Sequence, residues 1–297
     1  MIPQKMKRNP KLRSMISTRT RALAILGDPI EHSITPRIQN VALQETGADL
    51  VNLAFRVAPH DLETAVRGAQ ALGFLALMIT IPHKEAAMGL CDEWHSSARV
   101  MGAANLLEFR ADGKIIGHSS DGWAALQSLQ EENVTIKNQR VAIIGGGGAA
   151  RSLALTFALE GAAHISVLNR TLSRAEIIAE EIEKLGVEAS AGNLNEDLLQ
   201  NADLLVNSTS VGMTPNTLET PVPKSLLRRE MAVYDIVYNP LETRFLREAR
   251  EAGCKVIDGL GMLIYTNVYA AQVCAGVEIS AQTMREEALR GLAEKHV

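Results

Sequence analysis

Four consecutive glycines separate an apolar run from a helix-like stretch in residues 140–161, RVAIIGGGGAARSLALTFALEG. The apolar run is typical of a buried parallel strand, and the stretch after the glycines has helical spacing of apolar residues as far as Gly161. The pattern G-x-G-x-x-G/A is satisfied at this turn by Gly145, Gly147 and Ala150. Glycine there permits a tight turn and the close approach of a pyrophosphate to the helix N-terminus. The segment predicts an α/β unit that binds a dinucleotide through Gly145, Gly146, Gly147, Gly148 and Ala149.

The alternation of strands and helices extends over most of the chain from residue 22 onward. Short apolar runs predict strands, and the amphipathic stretches between them predict the crossover helices that parallel strands need. The predicted strands are 22–27, 51–57, 74–80, 140–144, 164–170, 202–210, 231–238 and 254–259, with a hairpin formed by 105–109 and 114–118. Besides the helix after the glycines, the predicted helices are 35–43, 62–72, 84–94, one that starts at Asp121, 174–186, 245–253, 262–275 and 281–295.

A chain of 297 residues is long enough for two α/β domains. We expect a basic N-terminal extension at 1–21, read as a solvated tail or a start-site extension ahead of Met15, not as a targeting peptide. Residues 22–121 plus 260–297 are predicted to form a substrate-binding domain with a mostly parallel sheet, to which the C-terminal helices return. Residues 122–259 are predicted to form a Rossmann-type nucleotide-binding domain.

Composition excludes several other classes of protein. The 30 basic and 34 acidic side chains give a net charge of −4, which excludes a strongly basic nucleic-acid surface. No apolar run approaches the roughly 20 residues that cross a bilayer, so we expect a soluble cytoplasmic protein with no membrane partner. The three cysteines are far apart and no two histidines pair on a helix face, so we expect reduced thiols and no metal site.

The end of the strand after the glycines distinguishes NAD from NADP. An NAD-preferring fold places Asp or Glu roughly 20 residues beyond the glycines, where it binds the ribose 2′-hydroxyl. This chain has Asn169, Arg170 and Thr171 there, followed by Arg174. Because no carboxylate would repel a 2′-phosphate and guanidinium groups would bind one, the pattern predicts NADP. The alternative is that both arginines are solvated surface charges.

Three segments of the first half contain side chains that the fold alone does not require. Ser33 and Thr35 lie just ahead of a predicted helix N-terminus, which favours an anion such as a carboxylate, although capping alone would explain one of them. Lys84 follows the third predicted strand, at the edge where α/β proteins bind ligands. Asp121 opens a helix, where an N-cap role is a sufficient explanation. Taken singly, Lys84 and Asp121 are also explained as ordinary surface residues.

Together these segments closely resemble the shikimate dehydrogenase family, from about Leu23 to the C-terminal helices. The family's H-S-x-S/T-P is matched by His32 to Pro36, its V-T-x-P-x-K by Ile79 to Lys84, and its G-A-x-N by Gly102 to Asn105. Its T-D-G resembles Ser120 to Gly122, and its NADP-reading N-R-T is matched by Asn169 to Thr171. The segments NSTSVGM (207–213) and DGLGML (258–263) complete the series in the family's order.

The resemblance implies reversible, NADPH-dependent reduction of 3-dehydroshikimate to shikimate in a cleft between two domains, on the chorismate route to aromatic amino acids. It implies that Lys84 and Asp121 are the catalytic pair, in which Lys84 stabilises the developing oxyanion and donates a proton while Asp121 orients it. The substrate, a cyclic polyhydroxy carboxylate, would be bound by Ser33, Thr35, Thr80, Asn105, Tyr238, Met78 and Thr266. The resemblance adds Thr209 and Gly261 to the cofactor contacts, and a monomer or homodimer is expected.

Three positions depart from the family pattern. Met78 stands where the family usually has Asn, Thr266 where it has Gln, and Ser119 where an Asn precedes T-D-G. The family's Asn and Gln contact ring hydroxyls, and losing such a partner costs about 1 to 3 kcal/mol, so Met78 and Thr266 predict altered ring recognition. Thr35 in place of the commoner Ser also resembles relatives that accept quinate.

These departures leave two alternatives open. One is a dehydrogenase of quinate or another cyclic polyol carboxylate, and the other is a ligand sensor without turnover, which retention of Lys84 and Asp121 disfavours. A third interpretation keeps shikimate as the substrate, with Met78 packed beneath it and Thr266 compensated by Asn267 or Gln272.

Overall fold

The structure is a computed structural model that describes residues 16–194, 198–199 and 201–294. The first strand begins at Arg21, so most of the predicted basic extension, residues 1–15, lies outside the described residues. Ahead of that strand, Thr20 Oγ1 donates a hydrogen bond to Asp49 Oδ1 (2.6 Å). None of the helices in the described part of the chain is both long and apolar enough to span a membrane.

The first half forms a six-stranded sheet in the order β2-β1-β3-β5-β6-β4. Its pairs are parallel except for those that β5 makes with β3 and β6, so the sheet is mostly parallel and contains the predicted hairpin. The elements are β1 (Arg21–Gly27), α1 (Thr35–Thr46), β2 (Leu50–Arg56), α2 (Leu62–Ala71), β3 (Ala76–Ile79), β4 (Glu93–Trp94), α3 (Ser96–Met101), β5 (Leu106–Phe109) and β6 (Ile115–His118).

The second half forms an all-parallel sheet in the order β12-β11-β10-β7-β8-β9. This is the strand order of dinucleotide-binding domains. Successive strands are added on one side of β7 as far as β9 and then on its other side from β10 onward, so the crevice of such folds lies between β7 and β10. The elements are α4 (Asp121–Glu131), β7 (Arg140–Ile144), α5 (Gly148–Leu159), β8 (His164–Leu168), α6 (Leu172–Lys184), β9 (Glu188–Gly192), β10 (Leu204–Asn207), β11 (Ala232–Asp235), α7 (Arg244–Glu251) and β12 (Lys255–Ile257).

Two C-terminal helices, α8 (Leu260–Ala275) and α9 (Ala281–Glu294), return to the first sheet. Leu260 and Ile264 of α8 and Met284 of α9 are buried in one apolar core with residues of α1 and of strands β1 and β3. Burial of these apolar faces stabilises the return of the chain to the first sheet. The predicted return of the C-terminal helices is therefore confirmed, whereas the domain boundaries at 121/122 and 259/260 stay a prediction.

The predicted helix at 84–94 is wrong. Lys84 lies in a turn, residues Ala86–Leu90 form a short 3₁₀ helix, and Glu93–Trp94 form the edge strand β4. Gly89 weakens a helix, and Asp92 binds the backbone of Ile115 through its amide (2.9 Å) and its carboxylate (2.8 Å), which draws the chain onto β6. These cross-strand bonds outweigh the local apolar spacing.

Smaller corrections concern helix ends and short elements. Thr35 and Asp121 are first helical residues and not N-caps, because α1 is preceded by Ile34 and α4 by Ser120. The prediction omitted α3 and β9, the latter because Glu188–Gly192 has little apolar alternation. All three cysteines are free, and only Cys254 is fully buried.

Candidate active site

The predicted catalytic residues, 37 positions apart in sequence, are in direct contact. Lys84 Nζ forms an ion pair with Asp121 Oδ2, and the Asp121 side chain is 6% exposed against 22% for Lys84. Asn105 Nδ2 donates to Asp121 Oδ1 (2.6 Å) and to Ser120 Oγ (3.0 Å), and Asn105 Oδ1 accepts from the Ser120 amide (2.8 Å). Asp121 is therefore held at both carboxylate oxygens, and Lys84 is the more exposed member of the pair.

The predicted carboxylate contacts lie where β1 and β3 end side by side. Ser33 Oγ accepts from the Thr35 amide (3.3 Å), and the buried Thr35 Oγ1 has no hydrogen-bond partner among the described residues. Thr80 follows β3 and lies so close to Gly27 at the end of β1 that a methyl group on Gly27 would contact Thr80 Cγ2 at 2.5 Å. Two hydroxyl residues at the N-terminus of α1 and one after β3 provide hydrogen-bonding groups suited to a carboxylate.

Met78 lies over a buried cluster of amide side chains. Asn52 Nδ2 on β2 is 3.7 Å from Met78 Sδ on β3 and also donates to Gln39 Oε1 on α1. Gln39 Nε2 donates to the carbonyl oxygen of Asn267 on α8 (3.0 Å). Asn52 Oδ1 and Asn267 Oδ1 are buried without a hydrogen-bond partner in the described part of the chain, and an unsatisfied buried acceptor costs about 1 to 3 kcal/mol. Buried amide side chains therefore lie next to Met78, although Met78 itself stands where the family usually has an amide.

Thr266 and Tyr238 border the same region. Thr266 Oγ1 donates to the Leu263 carbonyl of its own helix (2.7 Å), so its hydrogen is directed toward the helix backbone. Tyr238 follows β11 of the second sheet yet packs against the core of the first, and burial raises the pKa of its hydroxyl. It therefore lies where the two halves of the molecule meet.

The glycine-rich turn after β7 fits a dinucleotide. Gly145 has φ of +132°, and a methyl group on it would collide with Ser208 after β10. A methyl group on Gly146 would meet Asn169 Nδ2 at 2.7 Å, whereas Gly147 and Gly148 have open space where their side chains would be. Helix α5 starts at Gly148, so its first amides are accessible to a phosphate. Ala149 lies in the same first turn.

The predicted 2′-phosphate residues lie beside this turn. Asn169 Nδ2 donates to the Thr171 carbonyl (2.9 Å), and Arg174 Cβ is 2.9 Å from where a Gly146 side chain would begin. Both Arg170 and Arg174 are exposed. On the neighbouring strand end, Thr209 Oγ1 donates to Asn207 Oδ1 (2.7 Å). The structure thus brings these predicted cofactor residues together at one edge of the second sheet.

Gly261 lies apart from the glycine turn, in the first turn of α8. A methyl group there would collide with Ser128 of α4, so close packing of two helices accounts for the glycine. Its contact with the cofactor stays a prediction.

Two family models match the chain: the shikimate dehydrogenase substrate binding domain over residues 25–107, and shikimate / quinate 5-dehydrogenase over residues 127–237. The chain belongs to the shikimate dehydrogenase family. A shikimate dehydrogenase (NADP(+)) of Methanopyrus kandleri is 44% identical over 284 residues, which cover 93% of this chain and 98% of the relative.

Two solved structures are similar to the chain over nearly its whole length. A shikimate dehydrogenase in complex with NADP+ superposes with a TM-score of 0.88 at 38% identity, covering 95% of this chain and 99% of the other. A ligand-free 5-ketofructose reductase of Gluconobacter sp. strain CHM43 gives a TM-score of 0.83 at 34% identity, with coverage of 92% and 99%. The family, the two-domain α/β class and an NADP-dependent dehydrogenase acting on a CH–OH group are confirmed.

Sequence reasoning missed Gln39 and Asn52 and gave Asn267 only as a compensating neighbour. Asn52 was a detectable signal, because it is a lone polar residue inside the apolar strand LVNLAF. Gln39 follows Thr35 by one helical turn and therefore shares its helix face. The contact of Asn52 with Met78 depends on strand order, which places β1 between β2 and β3.

Proposed function

We propose that the protein is an NADP-dependent shikimate dehydrogenase in which Lys84 and Asp121 are the catalytic pair. The observation that carries the proposal is the Lys84–Asp121 ion pair, which Asn105 braces through the second carboxylate oxygen. The family places the reaction between 3-dehydroshikimate and shikimate, on the route to aromatic amino acids.

When bound, NADPH supplies the hydride that reduces the ketone. Negative charge then develops on the carbonyl oxygen, and the Lys84 ammonium group stabilises it and donates the proton that completes the hydroxyl. Asp121 orients Lys84, and in the reverse direction Lys84 in its neutral amine form accepts the hydroxyl proton. Asn105 restricts the Asp121 carboxylate to one orientation, because it occupies the oxygen that Lys84 does not use.

The cofactor half of the proposal rests on Arg170 and Arg174. Both are exposed beside the glycine turn, where guanidinium groups attract a 2′-phosphate, and no carboxylate stands at Asn169. The substrate half rests on Ser33 and Thr35 for the carboxylate and on Thr80, Asn105 and Tyr238 for the ring.

A second candidate is the reduction of a related polyhydroxy ketone, such as the quinate series or an open or cyclic ketose. The Met78 thioether replaces an amide, and the Thr266 hydroxyl is engaged with Leu263 of its own helix. A ring bound against a thioether, with displaced amides below it, has a different pattern of hydroxyl contacts from that of the common family site. The similarity to a 5-ketofructose reductase supports testing ketoses.

Initial rates decide between these functions. The purified protein is assayed by the absorbance of the reduced nicotinamide. Oxidation is measured with shikimate or quinate as substrate and NADP or NAD as cofactor, and reduction is measured with 3-dehydroshikimate or 5-ketofructose as substrate and NADPH as cofactor. The proposal predicts the highest kcat/KM for the shikimate pair with NADP. Higher kcat/KM for quinate or 5-ketofructose would support the second candidate, and binding of shikimate without turnover would indicate a sensor.

A further inference from the structure

Arg151 on α5 joins three helices. Its Nε and Nη2 atoms bind Glu181 on α6 in a bidentate ion pair (2.6 Å each), and its Nη1 donates to the Met101 carbonyl at the end of α3. Helices α5 and α6 belong to the second sheet, whereas α3 lies between β4 and β5 of the first. The hydrogen bond from Arg151 to Met101 therefore crosses between the two halves of the molecule. The Arg151 side chain is 27% exposed.

Gly102, directly after Met101, leaves the space that the guanidinium group occupies. Its φ is +57°, and a methyl group on it would collide with Arg151 Nη1. The bare backbone and the planar guanidinium therefore lie in direct contact, without a side chain between them. Arg151 lies three residues after Gly148, the last glycine of the turn at 145–148. A single side chain thus connects this glycine turn with the segment that starts at Gly102 and runs to Asn105.

The segment that starts at Gly102 holds both members of the catalytic pair. The Ala104 amide donates to the Lys84 carbonyl (3.1 Å), and Asn105 Nδ2 donates to Asp121 (2.6 Å). The Asn105 carbonyl also accepts from the Ile79 amide (2.8 Å), which ties the segment to the end of β3. A shift at Met101 would therefore be transmitted over three residues to Lys84 and Asp121.

We propose that Arg151 is a positioning residue for the reaction. By holding the Met101 carbonyl it positions Ala104 and Asn105 relative to the nucleotide-binding half. Through these two residues it positions the Lys84–Asp121 pair. The inference rests on the assignment of Lys84 and Asp121 as the catalytic pair. Because hydride transfer requires two reactants bound to different halves, an error in their separation lowers turnover more than it lowers affinity for either reactant.

A guanidinium group suits this role because its donors lie in one rigid plane. Two of them fix the plane on Glu181, which leaves Nη1 directed at Met101. Lysine has a single side-chain nitrogen, so it cannot form the bidentate pair with Glu181 and also direct a separate nitrogen at Met101. The conservative change Arg151→Lys therefore separates charge at this position from the spanning geometry.

The test compares Arg151→Met, Arg151→Lys and Arg244→Met in the full chain. Arg244 is a matched control, because it also binds a carboxylate (Glu248, 2.7 Å) and a backbone carbonyl (Leu218, 2.8 Å), but within the second half. We expect Arg151→Met to lower kcat about tenfold or more, with NADP affinity changed by less than about threefold, because misplacement affects the reacting geometry. Arg151→Lys should recover part of the loss, and Arg244→Met should keep the wild-type kcat.

Hydrogen exchange at the Ala104 amide gives a readout that does not depend on activity. Exchange there should become faster in Arg151→Met and stay unchanged in Arg244→Met. A wild-type kcat in Arg151→Met, an equal loss of NADP binding, or unchanged exchange would each overturn the proposal. Lys84→Ala is assayed in parallel: if it keeps its activity, the catalytic assignment fails by itself, whatever Arg151→Met shows.

Discussion

At the scale of single residues, Asp121 is the common acceptor for two donors from different parts of the chain. Lys84 comes from the turn after β3 and Asn105 from the start of β5, and each binds a different carboxylate oxygen. Because Asp121 itself is the first residue of α4, the positive end of that helix stabilises its charge. The arrangement fixes the orientation of the carboxylate and, through it, the position of the Lys84 ammonium group.

Lys84→Ala should reduce kcat by roughly 100-fold or more, because it removes both the proton donor and the charge that stabilises the oxyanion. The dissociation constant for NADP, measured by fluorescence titration, should stay close to the wild-type value. Asp121→Asn should reduce kcat by a smaller factor than Lys84→Ala if the main role of Asp121 is to orient Lys84. A Lys84→Ala variant with more than about a tenth of the wild-type rate would remove Lys84 from the mechanism.

Arg170→Ala should raise KM for NADP by roughly 10- to 150-fold, because a charge-assisted hydrogen bond of about 1.5 to 3 kcal/mol is lost. KM for NAD, which has no 2′-phosphate, should change little. Initial rates with both cofactors provide the comparison. An equal loss for NAD and NADP would show that Arg170 supports the fold and not the choice of cofactor.

The double change Met78→Asn with Thr266→Gln should improve turnover of shikimate, because it returns amides to the two positions that depart from the family. The effects should exceed the sum of the single changes if both residues contact one ligand. Kinetics with shikimate and quinate test this, with circular dichroism as the check on folding. Unchanged shikimate turnover in a folded double variant would mean that Asn52 or Asn267 already provides the amide contact.

At the scale of elements, the strand ends concentrate polar groups that the strand interiors exclude. Asp235 ends β11 in a buried position, where it accepts from Thr243 Oγ1 (2.7 Å), Asn207 Nδ2 (2.9 Å) and the Val237 amide (3.1 Å). Thr243 in turn caps α7 by accepting from the Leu246 amide. One carboxylate therefore joins β10, β11 and α7, yet burial raises its pKa to about 6.

Asp235 should make the folded state less stable as pH rises from about 4 to about 6. An unfolded Asp ionises near pH 4, so over this interval the folded protein binds the proton more tightly, and the stability contributed by the neutral acid is lost on its ionisation. Asp235→Asn keeps the shape of the side chain but does not ionise. Its free energy of unfolding, relative to that of the wild type, should therefore increase by roughly 3 kcal/mol between pH 4 and pH 7.

Urea unfolding of wild type and Asp235→Asn at several pH values measures this difference. Asp112→Asn, in an exposed turn, is the control and should follow the wild-type pH dependence. If the difference in the free energy of unfolding between wild type and Asp235→Asn does not vary with pH, the raised pKa of Asp235 is contradicted.

At the scale of the whole molecule, the two halves are connected twice, by α4 on the way out and by α8 on the way back. These helices pack so closely that Gly261 of α8 lies against Ser128 of α4. This contact and the hydrogen bond from Arg151 to the Met101 carbonyl both join the two halves of the molecule. Small residues are needed at this crossing because helix axes can approach this closely only without bulky side chains.

Gly261→Ala should lower stability by about 1 to 3 kcal/mol through overpacking, although Ala alone would favour the helix. Thermal unfolding measures the loss, and Ser128→Ala should recover part of it in the double variant, because the nearest clashing atom is the Ser128 hydroxyl oxygen. NADP titration of the folded variant tests the predicted cofactor contact separately. A stable Gly261→Ala variant with weakened NADP binding would assign the glycine to the cofactor.

Elements whose signals are local could be predicted from the sequence. Parallel strands, the glycine turn and the family motifs depend on residues close together in the chain, because apolar periodicity and turn chemistry act over a few positions. Where a contact between distant residues competed, as between Asp92 and Ile115, the local signal predicted a helix and the sheet prevailed.

Contacts between side chains that are distant in the chain could not be predicted without the three-dimensional fold. Strand order, which no local pattern encodes, places Asn52 beside Met78 across β1, and helix packing places Arg151 on Met101 and Gly261 on Ser128. Family motifs predicted the roles of Lys84 and Asp121, but the contact of Asp121 with both Lys84 and Asn105 depends on three chain segments arriving at one sheet edge. Such contacts are set by the burial of the whole core, and therefore by residues far from the site.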